Sequence, residues 1–147
     1  MIILDTGVLG KIIYPFNSEN AECAAWFAAI IGKGRRIGVP EIADYELRRK
    51  LIHIESHKSI DRLDSLIEAV AYLPITTRIM RVAAHLWADA RGKGRPTAGE
   101  SRLDIDTILA AQSLAVMDKE GEALIATTNP RHLSLFASAR NWREIDI

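Results

Sequence analysis

Four acidic residues of this chain stand where predicted strands and helices begin or end, and carboxylates so placed can bind cations. Asp5 follows the apolar run of residues 2–4, which predicts a short buried strand. Open α/β sheets bind their ligands at the carboxyl ends of such strands. Glu46 interrupts the apolar side chains of a predicted helix, and Asp104 and Asp106 open a later one. These four residues are therefore the candidates for a binding or catalytic site.

The chemistry of such a site follows from its donor atoms. Carboxylates that converge in one cleft repel one another unless a cation lies between them. Carboxylate oxygens suit Mg²⁺ or Mn²⁺ rather than zinc. A divalent ion in that setting polarises a phosphate, generates a nucleophilic hydroxide and stabilises the leaving oxygen. If the fold brings the acids together, they indicate phosphoryl chemistry.

Each of these residues also has a purely structural interpretation. Asp5 can cap the helix that follows it, and Asp104 can cap the helix predicted over residues 104–118. Asp106 fits that interpretation less well, because Asp104 already serves the first turn. The hydroxyl of Thr6 can orient water or phosphate, or it can cap a helix. The sequence leaves both interpretations open for these positions.

Short apolar strands alternate with amphipathic helices along the chain, and this alternation predicts an α/β fold with a parallel sheet. Strands are predicted at residues 2–4, 36–39, 72–75, 122–126 and 142–147, and helices at 8–14, 21–31, 41–53, 60–71, 77–91, 104–118 and 130–139. Asn17 or Ser18 is expected to cap the second helix, and Thr77 is expected to cap its own helix. Pro74 is expected to keep the strand at 72–75 short or at the edge of the sheet. Residues 91–101 contain three glycines and Pro96, and they predict a loop.

The length and composition indicate a single domain over residues 1–147, with hydrophobic residues making up the 48% that is usual for a globular core. No apolar run approaches the length that spans a membrane, and no signal peptide is visible. Cys23 is the only cysteine, so no intrachain disulfide can form, and a cytoplasmic location is expected. A net charge of zero gives no overall bias towards nucleic acid.

Five blocks of sequence, in order, resemble the PIN-domain family, and specifically the VapC-type toxins of bacterial toxin–antitoxin pairs. They are Ile3-Leu4-Asp5-Thr6, the stretch from Pro40 through Glu46-Leu47, Leu103-Asp104-Ile105-Asp106-Thr107-Ile108-Leu109-Ala110-Ala111, Ala126-Thr127-Thr128-Asn129-Pro130-Arg131-His132-Leu133, and the closing residues 142–147. The blocks span nearly the whole chain, and each is short.

The resemblance implies a three-layer α/β/α sandwich with a central, mainly parallel sheet. It implies that Asp5, Glu46 and Asp106 hold Mg²⁺ or Mn²⁺, with support from Asp104, and that Thr6 and Asn129 position water or phosphate. The implied activity is endoribonuclease cleavage of RNA. The implied partners are a cognate antitoxin and a second copy of the chain in a homodimer, with no membrane.

Two positions depart from the family pattern. Gly7 stands where the family often has Asn or Ser, which loosens a turn. Where many relatives carry a fourth acid after the Thr-Asn turn, this chain offers Asn129 and His132, neither of which is anionic at neutral pH. We expect a single divalent ion in consequence, with Asp104 compensating and His132 near the phosphate.

Other interpretations remain. The basic residues 91–95 are the expected contact with the RNA backbone, although basic clusters are more often solvated surface. The missing fourth acid also allows a catalytically silent PIN module that only binds a partner. A signalling receiver domain, likewise doubly wound, needs an aspartate after its central strand, and residues 72–77 contain none.

Overall fold

The structure, a computed structural model, describes residues 1–94 and 100–147. Its elements, in chain order, are β1 (Ile2–Leu4), α1 (Thr6–Ile13), α2 (Ser18–Gly32), β2 (Ile37–Pro40), α3 (Glu41–His53), α4 (His57–Ala69), β3 (Ala71–Leu73), α5 (Thr77–Gly92), α6 (Glu100–Glu120), β4 (Leu124–Thr127), α7 (Pro130–Leu133), β5 (Ala139–Asn141) and a 3₁₀ turn (Trp142–Glu144). None of the helices described is long and apolar enough to cross a membrane.

Within the described residues, five strands form one sheet in the order β3-β2-β1-β4-β5, and every neighbouring pair is parallel. Ile3 of β1 lies opposite Gly38 of β2 on one side and Ile125 of β4 on the other. The first strand is therefore the middle of the sheet. The predicted α/β sandwich is confirmed, and its sheet is parallel throughout the described part of the chain.

Both faces of the sheet are covered by helices. Successive side chains of a strand point to opposite faces, so Ile2 and Leu4 pack in one core with α1, α2, α3 and α4. Ile3 packs in a second core with side chains of α6 and α7, and α5 lies against α6 through a smaller cluster. All three residues of β1 are buried. The continuous apolar run at the amino terminus results from this burial on both faces.

The order of the strands creates a crevice at the carboxyl end of β1. From β1 the chain crosses to β2 on one side, and β4 later pairs with β1 on the other side. Such a switch point leaves a gap between the helices on the two faces, and open α/β sheets bind ligands there. Asp5 follows β1 at this point, and its backbone N–H donates to the carbonyl of Ala126 in β4 at 3.1 Å.

A buried amide ties together the two helices that border this crevice. Pro40 precedes α3 and offers it no side-chain cap. The Oε1 atom of Gln112 in α6 instead accepts a hydrogen bond from the N–H of Ile42 in the first turn of α3 at 3.3 Å. The Nε2 atom of the same side chain, whose residue is 1% exposed, donates to the carbonyl of Leu73. Gln112 therefore fixes α6 against α3 and β3 while satisfying an otherwise unpaired helix N–H.

Two predicted helix caps were wrong. Thr76, not Thr77, caps α5, because its hydroxyl accepts the N–H of Ile79 at 3.2 Å. Helix α6 begins at Glu100, so Asp104 lies inside the helix and does not cap it. The predicted loop over 91–101 is shorter than expected at both ends, and its residues 95–99 lie outside the described residues.

The carboxyl-terminal elements were also predicted incorrectly. Helix α7 ends at Leu133 instead of continuing to about residue 139, because the chain then turns and pairs with β4. The last strand is β5, and the predicted strand at residues 142–147 begins instead as a 3₁₀ turn. Trp142 in that turn is only 2% exposed and packs on Trp26 with ring centroids 5.6 Å apart. Burial of this ring, rather than strand pairing, organises the terminus.

Candidate active site

Asp5 lies at the carboxyl end of β1 and is held through both of its oxygens. Oδ1 accepts the N–H of Val8 at 2.9 Å and so caps α1, and Oδ2 accepts the hydroxyl of Thr127 at the end of β4. Burial raises the pKa of Asp5, and the hydrogen bonds from Thr127 and from the backbone oppose that rise. The capping interpretation of Asp5 is therefore correct, and it does not exclude a role in the cleft that Asp5 also lines.

Thr6 connects the start of α1 to Glu46 in α3. Its hydroxyl donates to Oε2 of Glu46 at 2.6 Å, and the Nζ of Lys50, one turn further along α3, lies 3.3 Å from Oε1. Burial opposes ionisation of Glu46, but the Thr6 hydrogen bond and the charges of Lys50 and Arg49 outweigh it and hold the pKa below its ordinary value. Glu46 is therefore anionic at neutral pH.

Asp106 reaches the same cleft from α6. Burial raises its pKa from 3.8 to about 6, the charges of His132 and Arg102 counteract this rise, and the charges of Asp5 and Glu46 add to it. Among the described residues, no hydrogen bond or ion pair holds this carboxylate. Asp106 is therefore the acid of the cleft that is most open to a new partner, and its raised pKa makes it easier to protonate than an ordinary aspartate.

The three carboxylates open into one cavity of about 490 Å³ between α1, α3 and α6. Three cationic side chains also line it, one from each of these helices: Lys11, Lys50 and Arg102. Lys11 pairs with Glu19 at 3.0 Å, and Lys50 pairs with Glu46. A cavity with acids in its interior and cations around them can bind a metal ion together with an anionic phosphate.

Asn129 and His132 border the cleft from the turn after β4. Asn129 caps α7 through its side chain and donates its backbone N–H to the hydroxyl of Thr127 at 3.1 Å. The Nδ1 atom of His132 is buried and has no hydrogen-bond partner among the described residues. Both side chains are therefore positioned by the turn to face whatever occupies the cleft.

Asp104 does not join the other acids. It is exposed and lies with Met80, Trp87 and Thr107 in a separate depression between α5 and α6. Since α6 already began at Glu100, Asp104 and Asp106 lie about 200° apart around the helix axis. The structure thus brings together Asp5, Thr6, Glu46, Asp106 and Asn129, and leaves Asp104 outside the cleft.

The cleft residues that were not singled out from the sequence include Thr127, Lys50 and Arg102. Thr127, which is buried, bonds to Asp5, and its place at the end of a predicted strand beside β1 was the available signal. Lys50 follows Glu46 by four residues, the spacing of a helical ion pair. Arg102 carries no signal in the sequence, because it depends on the earlier start of α6.

Gly7, a departure from the family pattern, lies against the same turn. A Cβ atom at this position would come within 3.1 Å of the Thr128 hydroxyl and 3.2 Å of Oδ1 of Asp5. These are tight approaches that a flexible hydroxyl side chain could relieve by a small shift. The glycine therefore lets α1 approach the turn after β4 closely, next to the carboxylate of Asp5.

The acids suit a magnesium-type ion held partly through water. No three His, Cys, Asp or Glu side chains in residues 1–94 and 100–147 are gathered closely enough to enclose an ion as they stand. Mg²⁺ binds one or two carboxylates directly and keeps several waters, so it needs a shared cleft rather than a closed cage. The raised pKa of Asp106 fits that requirement, because part of the rise comes from its acidic neighbours, whose repulsion a cation would relieve.

Solved structures share this fold. The chain is similar to a chain of VapBC2 from Rickettsia felis bound to a DNA fragment from its promoter, with 16% identity and a TM-score of 0.71 over 97% of this chain and 99% of that one. It is also similar to a chain of VapBC-1 from nontypeable Haemophilus influenzae, with 20% identity and a TM-score of 0.69 over 98% of this chain and 100% of that one. A chain of DNA-bound VapBC from Salmonella typhimurium is similar as well, with 15% identity and a TM-score of 0.64 over 96% of this chain and 97% of that one. At these identities the likeness concerns the fold.

No curated protein sequence matches the chain. The model of the PIN domain, by contrast, matches residues 2–137. The lack of an aspartate in residues 72–77 does not exclude a receiver domain, because β3 is an edge strand. The middle strand is β1, and an aspartate, Asp5, does follow it. The family match decides the question instead. The match covers nearly the whole chain, and it includes every residue that lines the acidic cleft. The chain therefore belongs to the PIN domain family.

Proposed function

We propose that this protein is a divalent-metal-dependent endoribonuclease and the toxin of a toxin–antitoxin pair. One observation carries the proposal: Asp5, Glu46 and Asp106, from three separate elements, open into a single cleft at the switch point of a PIN-domain sheet. The similarity of the fold to chains of VapBC complexes supports the toxin assignment.

The three acids would hold Mg²⁺ or Mn²⁺. When bound, such an ion supplies positive charge that polarises the phosphodiester and lowers the pKa of water, the chemistry of metal-assisted hydrolysis. Glu46 enters that role already ionised, since Thr6 and Lys50 hold its pKa down. A cation in the cleft would lower the raised pKa of Asp106, because it favours the charged form of that carboxyl.

The remaining cleft residues would bind and orient the RNA. Arg102 and Lys11 reach the cleft as cations and can pair with backbone phosphates on either side of the scissile bond. The hydroxyl of Thr6, fixed on Glu46 at 2.6 Å, holds that carboxylate in place, and Asn129 offers an amide to phosphate or water. His132 lines the same cleft and would lie near the phosphate rather than on the metal.

The proposed partners follow from the same assignment. A cognate antitoxin would cover the cleft, and a second copy of the chain would form a homodimer. A cytoplasmic location, where both RNA and antitoxin are found, belongs to the same proposal. The contact of the basic residues 91–95 with RNA stays a prediction. Arg91 lies in α5 with its guanidinium 5.1 Å from the centre of the Trp87 ring, and Arg95 is outside the described residues.

RNA cleavage by the purified protein tests the proposal, with two variants of α6 as a matched pair. Asp106→Asn removes an acid from the cleft, and Asp104→Asn removes the same charge two residues away, outside the cleft. We expect cleavage that requires Mg²⁺ or Mn²⁺ and is retained by Asp104→Asn. We expect Asp106→Asn to lose at least about 100-fold in rate, because a cleft acid acts on the reacting centre.

A second candidate, the catalytically silent PIN module, is favoured by the absence of an acid at Asn129 and His132. It predicts that wild-type protein leaves RNA intact at every metal concentration while still binding an antitoxin. Metal-dependent cleavage that Asp106→Asn abolishes would exclude it.

A further inference from the structure

Two exposed aromatic rings stand at the mouth of the acidic cleft. Tyr14, which lines the cleft, is 51% exposed, and Phe16 is 62% exposed. Their rings meet edge to face with centroids 4.8 Å apart. The guanidinium of Arg62 lies over the Phe16 ring, 4.7 Å from its centroid. Large aromatic side chains clustered in solvent beside a cationic group commonly mark a binding surface.

The segment that carries these rings is fixed in place. The Tyr14 N–H donates to the carbonyl of Gly10 at 3.2 Å, and the Tyr14 carbonyl accepts the side-chain amide of Asn20 at 2.7 Å. Arg62 also donates to the carbonyl of Ile13 at 3.4 Å. Both ends of the Tyr14 peptide are therefore anchored, so a ligand would meet a preorganised surface and lose little entropy in ordering it.

We propose that Tyr14 is a base-stacking subsite of the cleft, on which a nucleobase of single-stranded RNA next to the scissile phosphate stacks. Phe16 packs against the Tyr14 ring, and Arg62 in turn holds Phe16 and the preceding carbonyl of Ile13. This inference rests on the proposed nuclease function and deepens it, because it makes the substrate an unpaired nucleotide. A base in a duplex keeps its faces covered by its neighbours, whereas an unpaired base can stack on an aromatic side chain.

The surroundings favour a nucleotide over a protein segment as the occupant. Tyr14 shares its cleft with Lys11 and Arg102, so one ligand can place a base on the ring and a phosphate against the cations. Stacking combined with positive charge is the usual arrangement for binding single strands. Most of the described residues that line the cavity are polar or charged, and such a lining suits an anionic nucleotide better than a row of hydrophobic side chains.

The test measures binding of a single-stranded RNA hexanucleotide by fluorescence anisotropy in EDTA, so that cleavage does not enter the readout. Tyr14→Ala should weaken binding by about 5- to 100-fold, the range for loss of one stacked base. Tyr14→Phe keeps the ring and should bind within about twofold of wild type. Tyr45→Ala is the matched control, because Tyr45 is 55% exposed and carries Arg49 over its ring but does not line the cleft.

A second oligonucleotide separates stacking from phosphate contact. With an abasic nucleotide in the stacked position, wild type and Tyr14→Ala should bind equally weakly. The proposal is overturned if Tyr14→Ala binds the intact hexanucleotide as wild type does, or if wild-type protein does not bind it at all. Loss of antitoxin binding alone in Tyr14→Ala would show a protein-docking surface and would equally overturn it.

Failure of this inference can be told apart from failure of the proposed function. Cleavage that depends on Asp106 but not on Tyr14 would leave the nuclease standing and remove the subsite. Binding that depends on Tyr14 in a protein that never cleaves RNA would keep the subsite and remove the nuclease.

Discussion

Replacing Asp106 with Asn should stabilise the metal-free protein at neutral pH. The folded-state pKa of Asp106 is raised from 3.8 to about 6, so the fold binds this proton more tightly than the unfolded chain does. The contribution of Asp106 is therefore fully favourable below pH about 4 and is lost as the pH rises through 6. Asparagine cannot ionise, so the variant keeps this contribution to stability as the pH rises.

The size of the effect follows from the pKa. A rise from 3.8 to about 6 corresponds to about 3 kcal/mol at pH 7.5. The side chain is partly open to solvent, which screens the charge, and a gain of about 1–2 kcal/mol is the better expectation. For a chain of 147 residues this raises the midpoint of thermal unfolding by roughly 2–8 °C.

Thermal unfolding followed by circular dichroism in EDTA, at steps from pH 4 to pH 8, measures this difference. The midpoint of Asp106→Asn minus that of wild type should be near zero at pH 4 and grow as the pH passes 6. Asp104→Asn is the control, because it removes the same charge from the same helix on the exposed side, and its difference should stay small throughout. A lower unfolding midpoint for Asp106→Asn than for wild type at pH 7.5, or an equal rise in the midpoint of Asp104→Asn, would contradict this prediction.

Three further predictions concern the supports of the cleft and the assembly. Thr6→Val removes the hydroxyl 2.6 Å from Glu46, so the pKa of Glu46, followed by NMR titration of its side chain, should rise, and Thr6→Ser should restore it. An unchanged pKa of Glu46 in Thr6→Val would contradict this role. Gln112→Ala leaves the N–H of Ile42 and the carbonyl of Leu73 unpaired in the core, so urea unfolding should show a free energy of unfolding lower by about 2–4 kcal/mol. A decrease below about 0.5 kcal/mol would show that the Gln112 side chain does not hold the helices together. Light scattering at micromolar concentration should give twice the chain mass of 16.3 kDa, and a monomer with or without antitoxin would exclude the proposed homodimer.

The sequence predicted those parts of the fold whose signals are local. The apolar run 2–4 followed by Asp5 identified a buried strand with an acid at its carboxyl end, and the structure places that strand in the middle of the sheet. Asn17 was one of two predicted caps for α2, and its side chain does accept the N–H of Asn20. Pro74 was expected to keep its strand short or at an edge, and β3 is a three-residue edge strand. Strand burial, caps and proline effects depend on neighbouring residues, so they can be read from the sequence.

What the sequence missed depends on contacts between distant residues. The end of α7 at Leu133 is set by pairing of β5 with β4, and the last turn is set by packing of Trp142 on Trp26. The direction of Asp104 depends on where α6 begins, and the helix begins at Glu100, before the predicted start at Asp104. The bond from Thr127 to Asp5 joins residues 122 positions apart, and no local pattern reports it.

Binding of Mn²⁺ can be followed by electron paramagnetic resonance as the ion is titrated into metal-free protein. We expect one ion per chain, held by Asp5, Glu46 and Asp106. Asp5→Asn, which can still cap α1, and Asp106→Asn should each weaken binding by at least about tenfold, since each removes a full charge from the ion's surroundings. Asp104→Asn should bind as wild type does. Wild-type affinity in Asp106→Asn, or an equal loss in Asp104→Asn, would contradict a metal site formed by the acids of this cleft.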